Sequence, residues 1–449
     1  MSTTRTLDGQ IDLLAMHEAW PDRYPFLLES VEGTDAQARF DLLFAGPGDS
    51  LHLHADGTIS GPVGGETFLD CLDRWWRSEA ITERGQGIFA GGWFLYLGYE
   101  LAGEIESSLR LPSPEGLPIA IARRVHGAVL RDRRSGRVTA VAESGHEILL
   151  EQIRTDAQRV PEPADDDDAP ALAGPAREEP PEQYLAAVAA AKDYIAAGDI
   201  YQANLSRLWR GTLAPGMTPV RIYRRLRDAN PGPFAGLMRL GDDSIISSSP
   251  ERLLRVADGL ASTRPIAGTR PRGGSEDHDR ALSAELIAHP KERAEHVMLI
   301  DLERNDLGRI CRPGTVRVDE MMVVESYRHV HHIVSNVTGE LYAGVTPGEA
   351  IAAVFPGGTI TGCPKVRCME IIAELESGPR GAYTGSFGYL GRDGTMDLNI
   401  LIRTVVTDGR DLTLRAGAGI VADSEPHAEL EETRAKAKGL LLALGQGGS

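Results

Sequence analysis

The apolar and polar positions of the chain form many short segments with two different periods. Alternation at every second position, bounded by glycine, proline or aspartate, indicates strands. Apolar residues spaced three or four positions apart indicate amphipathic helices, several of which begin at a proline. The predicted strands are Phe26–Ser30, Phe40–Ala45, Leu51–Ala55, segments of Ile119–Glu143 around a turn, Asn204–Trp209, Phe234–Leu240, Ser244–Ser249, Leu253–Val256, Val316–Glu325, His332–Leu341, Ala382–Leu390, Met396–Val406 and Leu412–Ala416. The predicted helices are Thr67–Arg77, Glu147–Arg159, Pro181–Ala197, residues 276–303, Pro347–Val354, Pro364–Leu375 and Pro426–Leu444.

The order of these segments predicts the fold class and a division of the chain. Antiparallel-looking runs of strands with interspersed helices are typical of an α+β fold rather than a repeated βαβ unit. Residues 161–182, PEPADDDDAPALAGPAREEPPE, have no apolar period and indicate an exposed acidic linker or long surface loop. We therefore predict an N-terminal domain at residues 1–160, the linker at 161–182 and a C-terminal domain at 183–449.

Composition and charge exclude several classes of protein. The 449 residues carry a formal net charge of −18, which opposes binding to nucleic acid or to anionic membranes. Four cysteines are too few for a disulfide scaffold, and Cys363 and Cys368 lack the second pair that a metal site needs. The first ten residues lack a secretory signal, and the longest apolar run, Ile88–Leu101, is too short to span a bilayer. We expect a cytoplasmic protein.

Two pairs of glutamates are spaced as metal ligands would be. Glu292 and Glu295 lie in one predicted helix, and Glu429 and Glu432 lie in another. A spacing of three residues puts both carboxylates of a pair on one helical face. Two such faces brought together would offer the hard oxygen ligands that Mg²⁺ prefers. Each pair alone is equally typical of a solvated helix surface.

Glycine-rich segments and one histidine are further candidates. The segments PIAGTR (265–270) and RAGAGI (415–420) follow predicted strands, and their backbone N–H groups could bind an anion. The predicted helix start at Gly362–Lys365 adds a positive dipole end and a lysine. His332 and its neighbour His331 point to opposite faces of a strand, so one of them can face a pocket as an acid or base. Ordinary turns and a core histidine would give the same patterns.

Several catalytic motifs are missing from the sequence. It contains no GxSxG elbow, no Walker A loop and no GxGxxG that opens a helix after a strand. It also has no cysteine in the context of a glutaminase nucleophile. These absences argue against the corresponding hydrolases, nucleotide-binding proteins and glutaminases.

A set of longer strings resembles the chorismate-utilising enzymes, in the order typical of that family. The N-terminal match is thinner and consists of FLLES (26–30), ARFDLL (38–43) and GGWFLYLGYELA (91–102). The C-terminal strings are GDIYQANLSR (198–207), SSSPERLL (247–254), RPIAGTRPRG (264–273), KERAEHVMLIDLERNDLGRIC (291–311), HVHHIVS (329–335), FPGGTITGCPKVRCMEII (355–372), GYLGRDGTMDLNILIRT (388–404) and AGAGIVADSEPHAELEET (416–433).

The resemblance implies a fold and a set of site residues. The fold would be an α+β sandwich of two subdomains with layers in the order β-α-α-β, and residues 183–449 would bind chorismate. Glu295 and Glu432 would bind Mg²⁺, assisted by Glu292 and Glu429, and Glu251 and His332 match the family's acid and base positions. Gln202, Thr359 and Lys365 match residues that line the pocket. The implied substrate-binding residues are Ala267, Gly268, Thr269, Tyr383, Arg403, Gly417, Ala418 and Gly419.

Gln202 indicates which nucleophile the chain uses. Family members that use water carry a lysine at this position, and a glutamine cannot deprotonate water. The chain therefore resembles the two ammonia-using branches, aminodeoxychorismate synthase component I and anthranilate synthase component I. Pro233, Phe234 and Ala235 stand where anthranilate synthases usually have Pro-Tyr-Met, and YQANLSR, FPGGTITG and MDLNI also favour the first branch. We expect conversion of chorismate and ammonia to 4-amino-4-deoxychorismate, for para-aminobenzoate and folate synthesis. Anthranilate synthesis is the alternative.

Ala267 departs from the pattern of the favoured branch. Many aminodeoxychorismate synthases have a lysine there, which attacks the substrate ring, and alanine cannot form a covalent bond in its place. The chain then belongs to a lysine-free branch, or its product is anthranilate. A non-catalytic homologue that binds a small acid is a third interpretation, but the set of catalytic and metal-binding residues shows no loss.

Two partners follow from the resemblance. Without a glutaminase motif, ammonia would come from a separate glutamine amidotransferase subunit or from free ammonium. Ser30, Arg39 and Phe40, with the segment Pro233–Ala235, resemble the pocket in which relatives bind tryptophan. Plain core packing explains the same residues equally well.

Overall fold

The computed structural model describes residues 2–32, 39–82, 88–114, 116–162, 169–328 and 330–446. Residues 163–168 of the predicted linker, and Ala38 and His329 of the matching strings, lie outside the described residues. The helices are α1 (Leu13–Ala19), α2 (Phe68–Glu79), α3 (Ala102–Ile105), α4 (Ile148–Arg159), α5 (Pro181–Ala197), α6 (Pro219–Ala229), α7 (Glu276–Ala288), α8 (Pro290–Gly308), α9 (Pro347–Val354), α10 (Lys365–Leu375) and α11 (Pro426–Ala443).

The strands confirm most of the predicted segments and add several that were not predicted. They are β1 (Ser2–Leu7), β2 (Phe26–Glu29), β3 (Phe40–Leu53), β4 (Ile59–Ser60), β5 (Gly92–Leu97), β6 (Ala120–Asp132), β7 (Val138–Glu143), β8 (Arg177–Glu178), β9 (Gln202–Thr212), β10 (Phe234–Leu240), β11 (Asp243–Ser249), β12 (Arg252–Ala257), β13 (Leu260–Arg264), β14 (Ile266–Pro271), β15 (Arg317–Ser326), β16 (Val330–Glu340), β17 (Gly362–Cys363), β18 (Ser386–Gly391), β19 (Met396–Asn399), β20 (Thr404–Asp408) and β21 (Asp411–Ile420).

Local backbone chemistry explains where the predicted bounds hold and where they fail. Helix α5 begins at Pro181 and ends before Gly198, which takes the left-handed conformation at φ 83°. The predicted helix at residues 276–303 is two helices, because Pro290 restricts the preceding His289 to an extended conformation. The predicted strand Met396–Val406 is interrupted between β19 and β20, where Arg403 has a φ of 52°.

The strands form one antiparallel sheet that divides into two wings. The central pair is β3 and β6, which stay hydrogen-bonded along almost their whole length. The first wing runs outward from β6 in the order β5, β18, β19, β12, β13 and β16. The second wing runs outward from β3 in the order β2, β10, β11, β20, β21 and β9.

The inner faces of the two wings pack directly on each other. An aromatic and aliphatic cluster joins them, and Phe26 of β2 stacks on Phe94 of β5 at a centroid distance of 4.1 Å. Helices α1, α4, α6 and α11 cover the outer face of the second wing, and α2, α8 and α9 cover the first. The α+β class is therefore confirmed, but the layers run helix, sheet, sheet, helix. The expected order with helices between the sheets is wrong, because alternate strand residues bury apolar side chains on both faces.

The acidic linker is also more ordered than expected. Ala171 and Leu172 are buried in the core of the second wing, and Arg177–Glu178 pairs with β9 as strand β8. The apolar pair within ALAG is enough to bury this part of the segment. The parts of the chain before and after it share the sheet, through the pairs β2 with β10 and β5 with β18.

Candidate active site

Two crossings between the wings bring Glu251 and Arg403 together. The chain leaves the second wing after β11 and enters the first at β12, and it returns between β19 and β20. The two crossing segments lie side by side, because Ile400 N donates to Glu251 O at 3.0 Å and Ser248 N donates to Arg403 O at 3.1 Å. Two residues 152 positions apart along the chain are thereby held in one buried place.

Glu251 is buried as a protonated acid. Its side chain is 4% exposed, and its Oε1 atom has no hydrogen-bond partner among the described residues. Burial raises the pKa of Glu251 to about 8, the carboxylate of Glu303 adds to this, and Arg403 acts in the opposite direction. The buried hydroxyl of Thr359 faces the same carboxyl group and acts to lower its pKa. Glu251 can therefore donate a proton to a substrate at neutral pH.

His332 is neutral and holds Arg403. Its Nδ1 lies 3.0 Å from Thr269 Oγ1 and 3.2 Å from Gly268 O, and its Nε2 lies 3.5 Å from Arg403 Nη2. Burial lowers the pKa of His332 to about 3, and Arg403 adds to this effect. A proton on Nδ1 satisfies the carbonyl of Gly268 and leaves Nε2 as an acceptor for the guanidinium. The geometry thus supports a positioning role for His332, and its role as an acid or base stays a prediction.

A β-bulge brings the segment around Gly268 against helix α8. The register between β14 and β16 shifts between Ala267 and Thr269, and Gly268 has a φ of 63°. A Cβ atom on Gly268 would lie 2.9 Å from Glu292 Oε2. Only glycine allows the backbone to lie this close to the Glu292 carboxylate. The N–H groups of the bulge and the carboxylates of α8 therefore border the same space.

Two glycines of β21 make room for two amide side chains of β9. A Cβ on Gly417 would lie 2.7 Å from Asn204 Oδ1 and 2.8 Å from the Tyr383 hydroxyl, and one on Gly419 would lie 2.6 Å from Gln202 Nε2. Gln202 and Asn204 are two residues apart and share a strand face. Polar groups from β9 and Tyr383 therefore line a glycine edge.

Ala418 differs from the predicted substrate-binding set. Its side chain is buried in a core cluster with Val188 and Leu205. The period of two puts this methyl group on the face of β21 opposite to Gly417 and Gly419. Only its backbone can contribute to the glycine edge.

The four predicted metal-binding glutamates form one electrostatic cluster. Burial raises the pKa of Glu295, Lys291 opposes this, and Glu292, Glu432 and Glu429 add to it. Burial also raises the pKa of Glu429, and Glu432 adds to that shift. Carboxylates from α8 and α11 thus repel one another across a shared space. Their hard oxygen atoms suit a divalent cation such as Mg²⁺.

A tighter group of possible ligands lies elsewhere in the described residues. Side-chain atoms of His126, Glu143 and His146 lie within 4.8 Å of one another. Arg124 Nη2 donates to Glu143 Oε2 at 2.7 Å, and the two imidazole rings stack in parallel at 3.8 Å. Arg124 and His126 both contact Oε2 of Glu143, so this group is an ion-paired cluster, and Oε1 of Glu143 has no hydrogen-bond partner among the described residues.

Lys365 is held away from a catalytic role as a free amine. Its Nζ atom forms an ion pair with the buried Asp306 and donates to Val354 O at 3.2 Å. The lysine therefore ties α10 to α8 and α9. The sequence resemblance placed it in the pocket lining, and it could not show this partner because Asp306 is 59 positions away.

Two site residues escaped the sequence analysis. Asn204 faces the glycine edge, and Lys436 donates to Gly417 O at 3.0 Å and pairs with Glu432 at 2.8 Å. Simple periodicity could have found both. Asn204 follows Gln202 by two residues on a strand, and Lys436 follows Glu432 by four on a helix.

A second cavity of about 360 Å³ collects the six residues of the predicted tryptophan pocket. Ser30, Arg39 and Phe40 line one part of it, and Pro233, Phe234 and Ala235 line another. The guanidinium of Arg252 lies 4.6 Å from the Phe234 ring centroid and pairs with Asp397 at 2.8 Å. Segments about 200 residues apart thus form one pocket with aromatic and charged walls.

The arrangement agrees with the comparisons with known proteins. Residues 25–442 match the family of chorismate binding enzymes, and the chain belongs to that family. The crystal structure of anthranilate synthase component I from Streptococcus pneumoniae superposes with a TM-score of 0.80 at 32% identity, covering 90% of this chain and 92% of that one.

Curated relatives include two kinds of component 1 synthase. The chain is 41% identical to anthranilate synthase component 1 of Synechocystis sp., over 94% of this chain and 91% of the relative. It is 52% identical to aminodeoxychorismate synthase component 1 of Bacillus subtilis, over 58% of this chain and 54% of the relative. The chain is thus a chorismate-binding synthase. None of its helices, within the described ranges, has the length and apolar character needed to cross a membrane.

The protonated state of Glu251 predicts a basic limb in the pH profile. At a fixed concentration of free ammonia, kcat/KM should hold below a pH of about 8 and fall above it, because the acid form is lost as pH rises through the pKa. Glu251→Gln should lower the rate by about 100- to 10,000-fold and abolish the limb. Glu303→Gln should keep the limb and move it to lower pH, because a repelling carboxylate is removed. If the Glu251→Gln variant keeps the basic limb of the profile, another group donates the proton to the substrate.

Proposed function

We propose that this chain joins ammonia to chorismate and releases 4-amino-4-deoxychorismate. The observation that carries the proposal is the neutral amide of Gln202 facing Gly419 at the pocket edge. An amide cannot activate water as a base, whereas ammonia needs no such base to attack carbon. The aminodeoxychorismate synthase branch is favoured by Phe234 and Ala235 and by the strings YQANLSR, FPGGTITG and MDLNI.

We assign substrate binding and proton transfer to different residues of the site. Arg403, Tyr383 and the backbone N–H groups of the glycine edge bind the substrate carboxylates. Glu251 protonates the ring hydroxyl, which leaves as water. The Glu251 carboxylate then accepts the extra proton of the new C–NH₃⁺ group. Over the whole reaction chorismate and ammonia give the amine and water, and Glu251 returns to its acid form.

Anthranilate is the second candidate product, and Ala267 is the observation that favours it. The residue lies in β14 opposite Ile333 and next to Gly268, so no lysine stands at this position of the bulge. Lys365 of the pocket lining is engaged by Asp306, so its amine is not free to attack the substrate ring either. Formation of aminodeoxychorismate then requires two displacements without an enzyme adduct, whereas attack by ammonia at C2 leads to anthranilate.

The product assay decides between the two. The purified chain should consume chorismate with Mg²⁺ and ammonium, but not with glutamine, because we propose that a separate amidotransferase subunit supplies ammonia from glutamine. Para-aminobenzoate that appears only after an aminodeoxychorismate lyase is added supports the main proposal. Fluorescence of anthranilate without the lyase would establish the second candidate instead. Loss of chorismate with no aminated product would refute both.

We further propose that Glu295 and Glu432 bind Mg²⁺, assisted by Glu292 and Glu429. The cation would offset the repulsion among these carboxylates and hold a substrate carboxylate. Glu295→Gln should lower kcat/KM by about a thousandfold or more, with an unchanged circular dichroism spectrum. The matched control Glu431→Gln lies on α11 with its carboxylate turned to Arg434, and it should stay active. An active Glu295→Gln enzyme in the presence of a chelator would contradict the proposal.

The second cavity is proposed to bind tryptophan. Its volume and its walls of Phe40, Phe234 and arginine side chains suit an aromatic amino acid. Isothermal titration should show saturable binding to the wild-type chain. Ser30→Leu should abolish it by filling the cavity while ammonia-dependent turnover continues. If tryptophan gives no binding heat when it is titrated into the active wild-type chain, the cavity has another role.

A further inference from the structure

Asn204 has a buried side-chain acceptor with no bonding partner. The residue is 9% exposed, and its Oδ1 atom forms no hydrogen bond within the described part of the chain. Its backbone is fully engaged, since the N–H donates to Thr361 O at 2.8 Å and the carbonyl accepts from Arg380 Nη2 at 2.7 Å. A rigid backbone therefore presents an unsatisfied amide, which is unfavourable unless a ligand completes it.

The surroundings of this amide select the kind of group that can complete it. Oδ1 faces the space beside Gly417, and the Tyr383 hydroxyl borders the same space. A carbonyl oxygen accepts hydrogen bonds and repels carboxylates, so the two carboxylates of chorismate are poor partners. Arg403, the Tyr383 hydroxyl and the backbone N–H groups of the glycine edge suit those carboxylates instead. The partner of Asn204 must be a hydrogen-bond donor.

The nucleophile is such a donor, and its position is defined by the neighbouring amide. Gln202 and Asn204 point from the same face of β9 toward Gly419 and Gly417. Ammonia has three N–H donors and one lone pair. Gln202 presents its Nε2 donor toward Gly419, so Oδ1 of Asn204 is the acceptor that can orient an N–H group of ammonia. A carboxylate in the same place would instead favour ammonium, which has no lone pair.

We infer that Asn204 accepts a hydrogen bond from the ammonia nucleophile, next to Gln202, and contributes to the selection of ammonia. The inference rests on the proposed amination of chorismate. Asn204 exchanges no proton or electron in this role. The C–N bond forms from the lone pair of ammonia, and the protons follow the path through Glu251 given above.

The test separates the Michaelis constants of the two substrates. Asn204→Leu keeps the side-chain size and removes the acceptor. The loss of one hydrogen bond should raise the KM for ammonia about three- to tenfold. The KM for chorismate and its dissociation constant without ammonia should stay within about twofold of the wild type. Asn204→Ser, whose hydroxyl is too short to reach the same point, should act similarly and serves if the leucine variant does not fold.

A matched control and three outcomes make the test decisive. Asn336→Leu removes an amide that bonds Asp319 at the surface, and it should change neither constant. A raised KM for chorismate with an unchanged KM for ammonia would overturn the inference. It would show that Asn204 binds the ring hydroxyl of chorismate instead. Two unchanged constants in a folded Asn204 variant would overturn it as well. A wild-type chain that forms no aminated product would instead refute the proposed function.

Discussion

A buried ion pair between Glu376 and Arg380 holds together the elements that form the pocket. Glu376 accepts hydrogen bonds from Ser206 N at 2.7 Å and from Arg380 Nη2 at 2.6 Å, and Arg415 Nη1 lies 3.5 Å away. Burial disfavours the charged carboxylate, but the two guanidinium groups outweigh it and keep the pKa of Glu376 below its usual value. Breaking such a pair leaves an uncompensated charge in the interior. This interaction therefore attaches the segment after α10 to both β9 and β21.

Arg380 extends this constraint to the rest of the site. Its Nη1 donates to Ile360 O at 3.0 Å, and its backbone N–H donates to Glu100 Oε1 at 2.8 Å. The guanidinium also lies 5.6 Å from the Tyr383 ring centroid. The N-terminal part of the chain thus contributes to the site through Glu100, although its match to the family strings is thin. One guanidinium orders the glycine edge, the tyrosine and the segment that carries Thr359.

Burial shifts the pKa values of the two groups that flank Arg403 in opposite directions, and both groups are therefore uncharged. Glu251 stays protonated and His332 stays neutral, because each avoids a charge in the same low-dielectric place. The strong charges beside the substrate are then Arg403, Lys436 and the glutamates of α8 and α11. This division suits a substrate with two carboxylates and a neutral nucleophile, and it leaves Glu251 as the proton donor.

The sequence by itself determined the family, the α+β class, most helices and strands, and the residue types of the site. Local signals such as Pro181 and Gly198 act over a few residues, so they can be read from the chain. The tertiary structure alone decided the order of layers, the break at Arg403 and the partners of Lys365, His332 and Asn204. Protonation states also belong to this second group, because burial and long-range contacts determine them. Asp306 lies 59 residues from Lys365, and no local pattern encodes that distance.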